Sequence, residues 1–397
     1  MPCVYVIGTC DTKEAELRYA VERVRAAGAE AVLVDISTTP SAVIADVTPE
    51  RVAAFHSQGA MAVLDLADRG RAVTAMAEAL AGFLRSRQDI GAVLGLGGGG
   101  NTSIVTSAMR ALPIGVPKLM VSTLASGNVA PYVGPSDITM MHAVADIAGL
   151  NAITRKVIGN AAHAAAGMAL NEVPEIAAFK RAAGLTMFGV TTACITQIRA
   201  MLDEDCECFV FHATGTGGQC MEKLIDSGLL SAALDITTTE VADYLFGGVL
   251  PCTEDRFGAV IRSGIPYVGS VGACDMVNFG GRGSVPQRYA ERNLYVHNPE
   301  VTLMRTNFEE NAAIGQWITT RLNQMQGPVR FLLPLQGVSA IDQVGKPFHD
   351  PQADAALFDA IRQTWTNAPN RELIEVDAHI NDPAFATATV NAFRDIN

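Results

Sequence analysis

No stretch of the chain strings together the roughly 18–20 apolar residues that a membrane-spanning helix needs. The opening MPCVYVIGTC places no basic region ahead of its apolar run. Neither a transmembrane anchor nor a secretory leader is expected, and the setting read from this is cytoplasmic. Positive charge is scarce: 29 Lys and Arg stand against 41 Asp and Glu, a net charge of −12. That balance argues against nucleic acid and anionic membrane as partners, while leaving room for a local anion site. Charged residues make up only 18% and aromatics 6% of the 397 residues, against 49% hydrophobic. A globular protein long enough for two domains follows. The eight cysteines are scattered and Cys206-Glu-Cys208 lacks zinc spacing, so they read as reduced structural thiols. Also missing are HExxH, GxSxG, paired CxxC and the GK[ST] of a Walker loop, so no motif names a reaction.

What the sequence does have is alternation. VYVIG reads as a strand and TCDTKEAELRYAVERVRAAG as a helix, with Asp11 and Glu14 as a capping-box-like pair. Leu17, Val21 and Val24 follow at helical spacing, and Gly28 is the stop. AVLVDI is a second buried strand. After the turn-rich segment 37–59 come a helix near Arg71–Arg85, strand Val93–Leu96, a glycine turn and helix, strand KLMVSTLA and an alanine-rich helix Asn151–Leu170. Past the charged NEVPEIAAFKR the rhythm restarts with LTMFGVTT, ACITQIRAMLDE and CFVFHATGTGGQCMEKLIDSG. Strands alternating with helices predict mainly parallel sheets with helices on both faces. The restart predicts two Rossmann-like α/β domains, 1–180 and 181–397.

The stretch VLGLGGGGNTSIVTSAMRALP sets Gly97, Gly98, Gly99 and Gly100 between strand and helix, with Asn101, Thr102 and Ser103 as cap residues. Glycine inside a regular element costs roughly 0.5–1 kcal/mol relative to alanine. Four together predict either a tightly packed turn or a backbone that must approach a ligand, and at a helix N-terminus that ligand would be a phosphate. GTCDTK, Gly8–Lys13, ends the first strand, where open α/β sheets collect ligands. Lys13 there could neutralise a phosphate or be an ordinary exposed lysine. As a dinucleotide fingerprint this turn is imperfect, because it lacks the second glycine, although Asp35 stands where a ribose ligand would. Ser122–Asp137 is a long polar loop that could close over the same crevice.

In the second half, polar residues gather at expected strand ends: Glu240 and Asn278, Asn298, Arg305 and Glu309, then Ser339, Asp342, His349 and Asp350. Each alone is more often a cap or a satisfied core residue than a catalyst. Parallel strands put their carboxyl ends on one edge, however, so His212, Glu222, Asp235, Asp275 and His297 are expected to face one cleft as an acid–base or oxygen-rich metal set, at least three of them meeting.

Seven motifs in order, GTCDTK, GLGGGGNTSIVTSAMRALPIGVPKLMVSTLASGN, PYVGPSDITMMHAVADIAGLN, FHATGTGGQCME, DITTTEVAD, DMVNFG and HNPEVTLMRT, resemble a largely uncharacterised bacterial, fungal and plant family. Its best-known member is the N-terminal inhibitory domain of the tomato mosaic virus resistance protein. The resemblance runs from residue 1 to about 395. It implies two Rossmann-like subdomains that bind ATP, with Mg2+ as companion ion, and that form homo-oligomers. It carries a phosphate-binding role onto Gly97–Ser103, and onto Thr9, Asp11, Thr12, Lys13 and Ser122–Asn128, with Ser122, Ser126, Gly127 and Asn128 as its polar positions. In the plant relative a domain resembling a TIM-barrel enzyme follows, so such a partner enzyme is expected here as a separate chain. The expected function is an ATP-binding enzyme of small-metabolite catabolism, with nucleotide in the first half and a small acid in the second. The alternatives are a nucleotide-responsive binding module without turnover, and an NAD-dependent dehydrogenase.

Overall fold

Alternating strands and helices build two α/β units, Met1–Ile176 and Ala177–Asn397, in the computed structural model. The structure describes residues 2–39, 43–64, 66–174 and 180–397; parts of the turn-rich segment 37–59 and of NEVPEIAAFKR lie outside the described residues. Both units are Rossmann-like. Among the described residues no helix is long and apolar enough to cross a membrane.

The first unit has strands β1 (Cys3–Gly8), β2 (Glu30–Asp35), β3 (Ile90–Gly97), β4 (Lys118–Ser122) and β5 (Thr139–His142). They pair in parallel in the order β2-β1-β3-β4-β5. Its helices are α1 (Cys10–Ala26), α2 (Pro49–Ala53), α3 (Met61–Leu64), α4 (Arg69–Arg85), α5 (Gly99–Arg110), α6 (Ala130–Val133) and α7 (Ala152–Leu170). Along β1, Tyr5 and Ile7 join a core with Met76 and Leu80 of α4 and Val105 and Met109 of α5. Val4 and Val6 join the opposite core with Leu17 and Val21 of α1 and Ile158 and Ala162 of α7. This period-2 division is what a strand buried on both faces requires.

Two helix starts differ from the sequence reading. Thr9, not Asp11, is the N-cap of α1, and it makes no side-chain cap bond. Instead the Cys10 amide donates to Asp35 Oδ1 at 3.0 Å and the Asp11 amide to Ser37 Oγ at 3.2 Å. The cap is thus supplied from the tip of the neighbouring strand. Asp11 Oδ2 accepts from Thr39 Oγ1 at 2.6 Å, and Glu14 pairs with Arg18 at 2.8 Å rather than closing a box. Helix α5 starts at Gly99 with Gly98 as N-cap, so Asn101, Thr102 and Ser103 lie inside its first turns instead of capping it. Gly28, at φ +91°, follows the end of α1 in a conformation that favours glycine.

The second unit runs β6 (Arg181–Met187), α8 (Thr192–Leu202), β7 (Cys206–His212), α9 (Thr216–Asp226), β8 (Ala232–Thr237), α10 (Glu240–Phe246), α11 (Gly258–Ser263) and β9 (Tyr267–Gly272). It continues with β10 (Met276–Phe279), β11 (Leu294–Asn298), β12 (Val301–Arg305), α12 (Phe308–Leu322), β13 (Val329–Pro334), α13 (Pro351–Thr364), β14 (Arg371–Val376) and α14 (Pro383–Arg394). The main sheet is parallel, in the order β14-β13-β9-β8-β6-β7. Strands β10, β12 and β11 form a separate antiparallel sheet, an insertion that the alternation of strands and helices did not predict. On the main sheet Val268 and Leu332 pack with α8 and α14, whereas Tyr267, Phe331 and Leu333 pack with α9, α11, α12 and α13.

Candidate functional site

In the first unit the strand order reverses direction between β1 and β3, the switch point at which open α/β sheets bind ligands. A crevice of about 520 Å³ opens there. Its floor is Thr9 after β1 and Gly98, Gly99 and Gly100 after β3; Asp11, Thr12 and Lys13 of α1 and Asn101 of α5 stand around them. An apolar wall of Ile36, Leu66, Val73 and Ile104 closes one side, and Arg69, at the start of α4, lines another.

Geometry separates the four glycines. A Cβ on Gly97 would overlap the side chain of Asn101, so that glycine is required by packing. A Cβ on Gly98 would lie 3.7 Å from Thr123 Oγ1, on Gly99 3.7 Å from Leu124 Cδ1 and on Gly100 3.9 Å from Arg69 Nη2, all ordinary or loose contacts. None of the three has a positive φ. Nothing among the described residues therefore excludes a side chain at these positions. The amides of Gly99, Gly100 and Asn101, the first of α5, have no partner among the described residues, and Thr102 N is the first to bond back, to Gly98 O at 2.9 Å. Free amides at the positive end of a twelve-residue helix form an anion cradle.

Around that cradle Asn101 Nδ2 donates to Thr9 Oγ1 at 3.1 Å and to Leu96 O at 3.2 Å, tying the tips of β1 and β3 together. Lys13 lines the crevice but its Nζ donates to Ile147 O at 2.5 Å, so its charge is parked on a carbonyl. The Arg69 guanidinium has no protein partner among the described residues. Burial, then Asp35, pushes the Cys10 thiol up to about 12, which removes it as a nucleophile in the GTCDT turn.

Other expected ligands serve the scaffold. Ser122 is fully buried; its Oγ bonds Thr102 Oγ1 at 2.7 Å and accepts from Leu124 N at 3.0 Å, stapling β4 to α5. Thr102 Oγ1 also donates to Gly98 O at 2.9 Å. Ser103, Ser126, Gly127 and Asn128 are not among the residues lining the crevice, and the last three are exposed. Asp35 is also fully buried; its Oδ1 accepts from Cys10 N, Ser37 N and Ser37 Oγ, while Oδ2 has no partner among the described residues, and it is this burial that keeps it from a ribose. Sequence reading missed Arg69, Thr38 and Thr39. The loop after β2 was a legible signal for the two threonines, because β2 ends on the same sheet edge.

In the second unit the five expected acid–base residues do not converge. Glu222 and Asp235 do meet, on Arg256, at 3.0 and 2.8 Å, and Glu240 joins them at 3.1 Å. This is a charge cluster sealed in the core: Arg256 is 2% exposed and Asp235 and Glu240 not at all. Burial raises the Glu222 carboxyl to about 7 despite Arg256. Asp275 lies in a second buried group, accepting from Ser339 Oγ at 2.7 Å and raised to about 7 by burial and then by Asp342. His212, at the end of edge strand β7, is exposed and stacks on Phe188 with ring centroids 5.2 Å apart. His297 is exposed on β11 of the antiparallel sheet, which does not share the edge of the parallel one; that insertion is why the strand-end argument fails for it. Among the described residues no group of three or more His, Cys, Asp and Glu is placed to hold a metal ion.

The glycine turn of this unit, Gly215–Gly218, is closed by the protein itself. Glu240 Oε1 accepts from the amides of Gly215 at 2.7 Å and Gly218 at 3.1 Å. A Cβ on Gly217 would overlap the His212 carbonyl, and one on Gly218 the Glu240 carboxylate.

Set beside known proteins, residues 2–174 match the model of the Uncharacterised protein family (UPF0261) N-terminal domain, and residues 180–397 match that of its C-terminal domain. A UPF0261 protein of Rhizobium meliloti is 58% identical over 396 residues, covering 100% of the chain and 99% of that protein. A UPF0261 protein of Clostridium tetani is 41% identical over 97% of the chain and 96% of its own length. The ToMV resistance protein Tm-1(GCR237) of Solanum lycopersicum is 41% identical over 100% of the chain, which spans 56% of that protein.

Proposed function

The chain belongs to the UPF0261 family, and from that premise we propose that its first unit binds an adenine nucleotide, ATP in the first instance, at the β1/β3 switch point. One observation carries the reading: Gly98, Gly99 and Gly100 are glycines that the fold does not need, beside amides with no partner among the described residues. Glycine in a helix's first turn weakens it, and the compensation is close approach of a phosphate to the backbone. The Gly99, Gly100 and Asn101 amides hold the terminal phosphates, and Arg69 neutralises them. Lys13 adds its charge once it leaves the Ile147 carbonyl. The wall of Ile36, Leu66, Val73 and Ile104 takes the base, and the crevice volume lies in the usual range for such ligands. Asp11 and Thr12 supply oxygens for a Mg2+ ion held chiefly by the phosphates.

The dispersal of the acid–base candidates favours a nucleotide-responsive module over an enzyme built on His212, Glu222, Asp235, Asp275 and His297. The buried Asp35 weighs against a dehydrogenase. Homo-oligomeric assembly and a cytoplasmic setting accompany this reading through the family resemblance and the composition. The test is thermal unfolding with ATP, ADP, NAD or NADP. ATP and ADP are expected to stabilise, by about 2.7 kcal/mol at a hundredfold excess over Kd. Unchanged unfolding in millimolar adenine nucleotide sinks the proposal, and a response to NAD alone restores the dehydrogenase.

A further inference from the structure

The second unit has a crevice that none of the assignments above uses. It encloses about 630 Å³ at the carboxyl ends of β13 and β14, between Gln336, the loop carrying Gln343 and His349, and the first turns of α13. Three polar groups on its wall have no protein partner among the described residues: the Gln343 carboxamide, the His349 imidazole and Oδ2 of Asp354. Asp354 is only 6% exposed, and Arg305 Nη2 donates to its other oxygen at 2.6 Å. Oδ2 is therefore the oxygen left for whatever enters the crevice, and a ligand hydroxyl there would take the place of water.

The surrounding charges narrow the class of that donor. Among the described residues neither Lys nor Arg lines the crevice. The helices that open on it carry their own anions: the Asp350 side chain accepts from Ala353 N at 3.1 Å at the start of α13, and Asp382, N-cap of α14, accepts from His379 N at 3.0 Å. A phosphate or carboxylate would meet the Asp354 and Asp382 side chains and, at α13, a helix end already capped by Asp350. An organic cation gains little, because burial raises the Asp354 carboxyl to about 8 and leaves it largely neutral near pH 7, and the Arg305 guanidinium stands 2.6 Å from it and 3.7 Å from Asp342. We infer that this crevice binds a small neutral polyhydroxylated molecule. One hydroxyl shares a hydrogen bond with Asp354 Oδ2, others exchange bonds with the Gln343 carboxamide and the His349 imidazole, and the Phe358 ring packs against the carbon skeleton. This is a separate site from the nucleotide crevice and does not rest on it.

Saturation-transfer NMR on the full chain with D-ribose, xylitol and D-glucose tests the inference. At least one of the three is expected to show transfer at about 5 mM, a weak but specific regime near −3 to −4 kcal/mol. A Gln343→Ala/His349→Ala double variant, altered only at exposed positions, should weaken binding about tenfold, as loss of two hydrogen bonds implies. Asp354→Leu, which removes the polar atoms, should weaken it as well, whereas inorganic phosphate and putrescine should not displace the sugar. Silence from all three polyols up to about 20 mM, equal transfer in the double variant, or displacement by phosphate overturns the inference. Transfer that persists in Gly100→Val separates this site from the nucleotide reading, whichever of the two fails.

Discussion

Each unit sets a glycine-rich turn at the start of a helix, Gly97–Gly100 before α5 and Gly215–Gly218 before α9, on sheets whose first five strands share one order. In the second unit the turn is filled: Glu240 lies on its amides, and the clashes that a Cβ would make show glycines required by packing. In the first unit the amides are open and the glycines are not required by packing. The same local device is a structural latch in one place and an accessible cradle in the other. The difference lies in whether the protein brings its own carboxylate. Glu240 can be that carboxylate because Arg256 stands behind it to balance the charge.

Arg256→Met attacks the filled turn and should have the largest effect. It strands Glu222, Asp235 and Glu240 without their cation, and breaking a buried ion network typically costs about 3–5 kcal/mol. The chain's two tryptophans, Trp317 and Trp365, both lie in the second unit. Denaturant unfolding followed by tryptophan fluorescence should therefore show the loss, while the nucleotide response of the first unit survives. An unaltered midpoint would mean that the cluster is not what holds the turn.

Gly100→Val attacks the open turn. The added side chain makes only a loose contact with the described residues, and valine is a better helix former than glycine, so unliganded stability should hold or rise by about 0.5 kcal/mol or less. The roughly 2.7 kcal/mol of ATP-linked stabilisation should vanish. Calorimetric titration that finds normal ATP affinity in this variant would make the two turns alike after all.

A smaller effect sharpens the contrast through pH. Burial raises the carboxyls of Glu222, Asp243 and Asp275 to about 7 and of Asp354 to about 8, all in the second unit. Carboxyls raised above their unfolded value of about 4 stabilise fully below that value, and the contribution drains away as pH climbs through 7 to 8. In the first unit the Arg87 guanidinium holds Asp89 below the usual range, a contribution lost instead as pH falls through its folded pKa. The tryptophan-detected melting temperature should thus decline from pH 5 to pH 8. A rise over that interval would show these carboxyls to be ionised throughout.

The alternation of elements was readable because it is written in local periodicity: buried strands, the alanine-rich helix α7 and the Gly28 stop all stand where residue spacing put them. The glycine turn of the first unit was readable as a helix N-terminus for the same reason. The filling of its counterpart was not, because Glu240 and Arg256 reach it from 22 and 38 residues beyond Gly218, and no short pattern encodes that meeting. Nor did periodicity separate β10, β11 and β12 from the parallel sheet, since short strands look alike whichever way they pair. That error misplaced His297, and the strand-end argument has no means of telling an exposed edge position such as His212 from a cleft.

The buried guanidinium of Arg256 also bears on the order of events as the chain folds. Drawing it out of water before α9, β8 and α10 have delivered their carboxylates is uphill, so the cluster closes after the rate-limiting barrier. A loss located on the native side of that barrier accelerates unfolding and leaves the folding limb of the chevron nearly unchanged, which is the pattern expected of Arg256→Met. A folding limb slowed by the whole loss would put the cluster in the nucleus instead. On this ordering the guanidinium sets how long the second unit survives once formed, and has little part in how fast it forms.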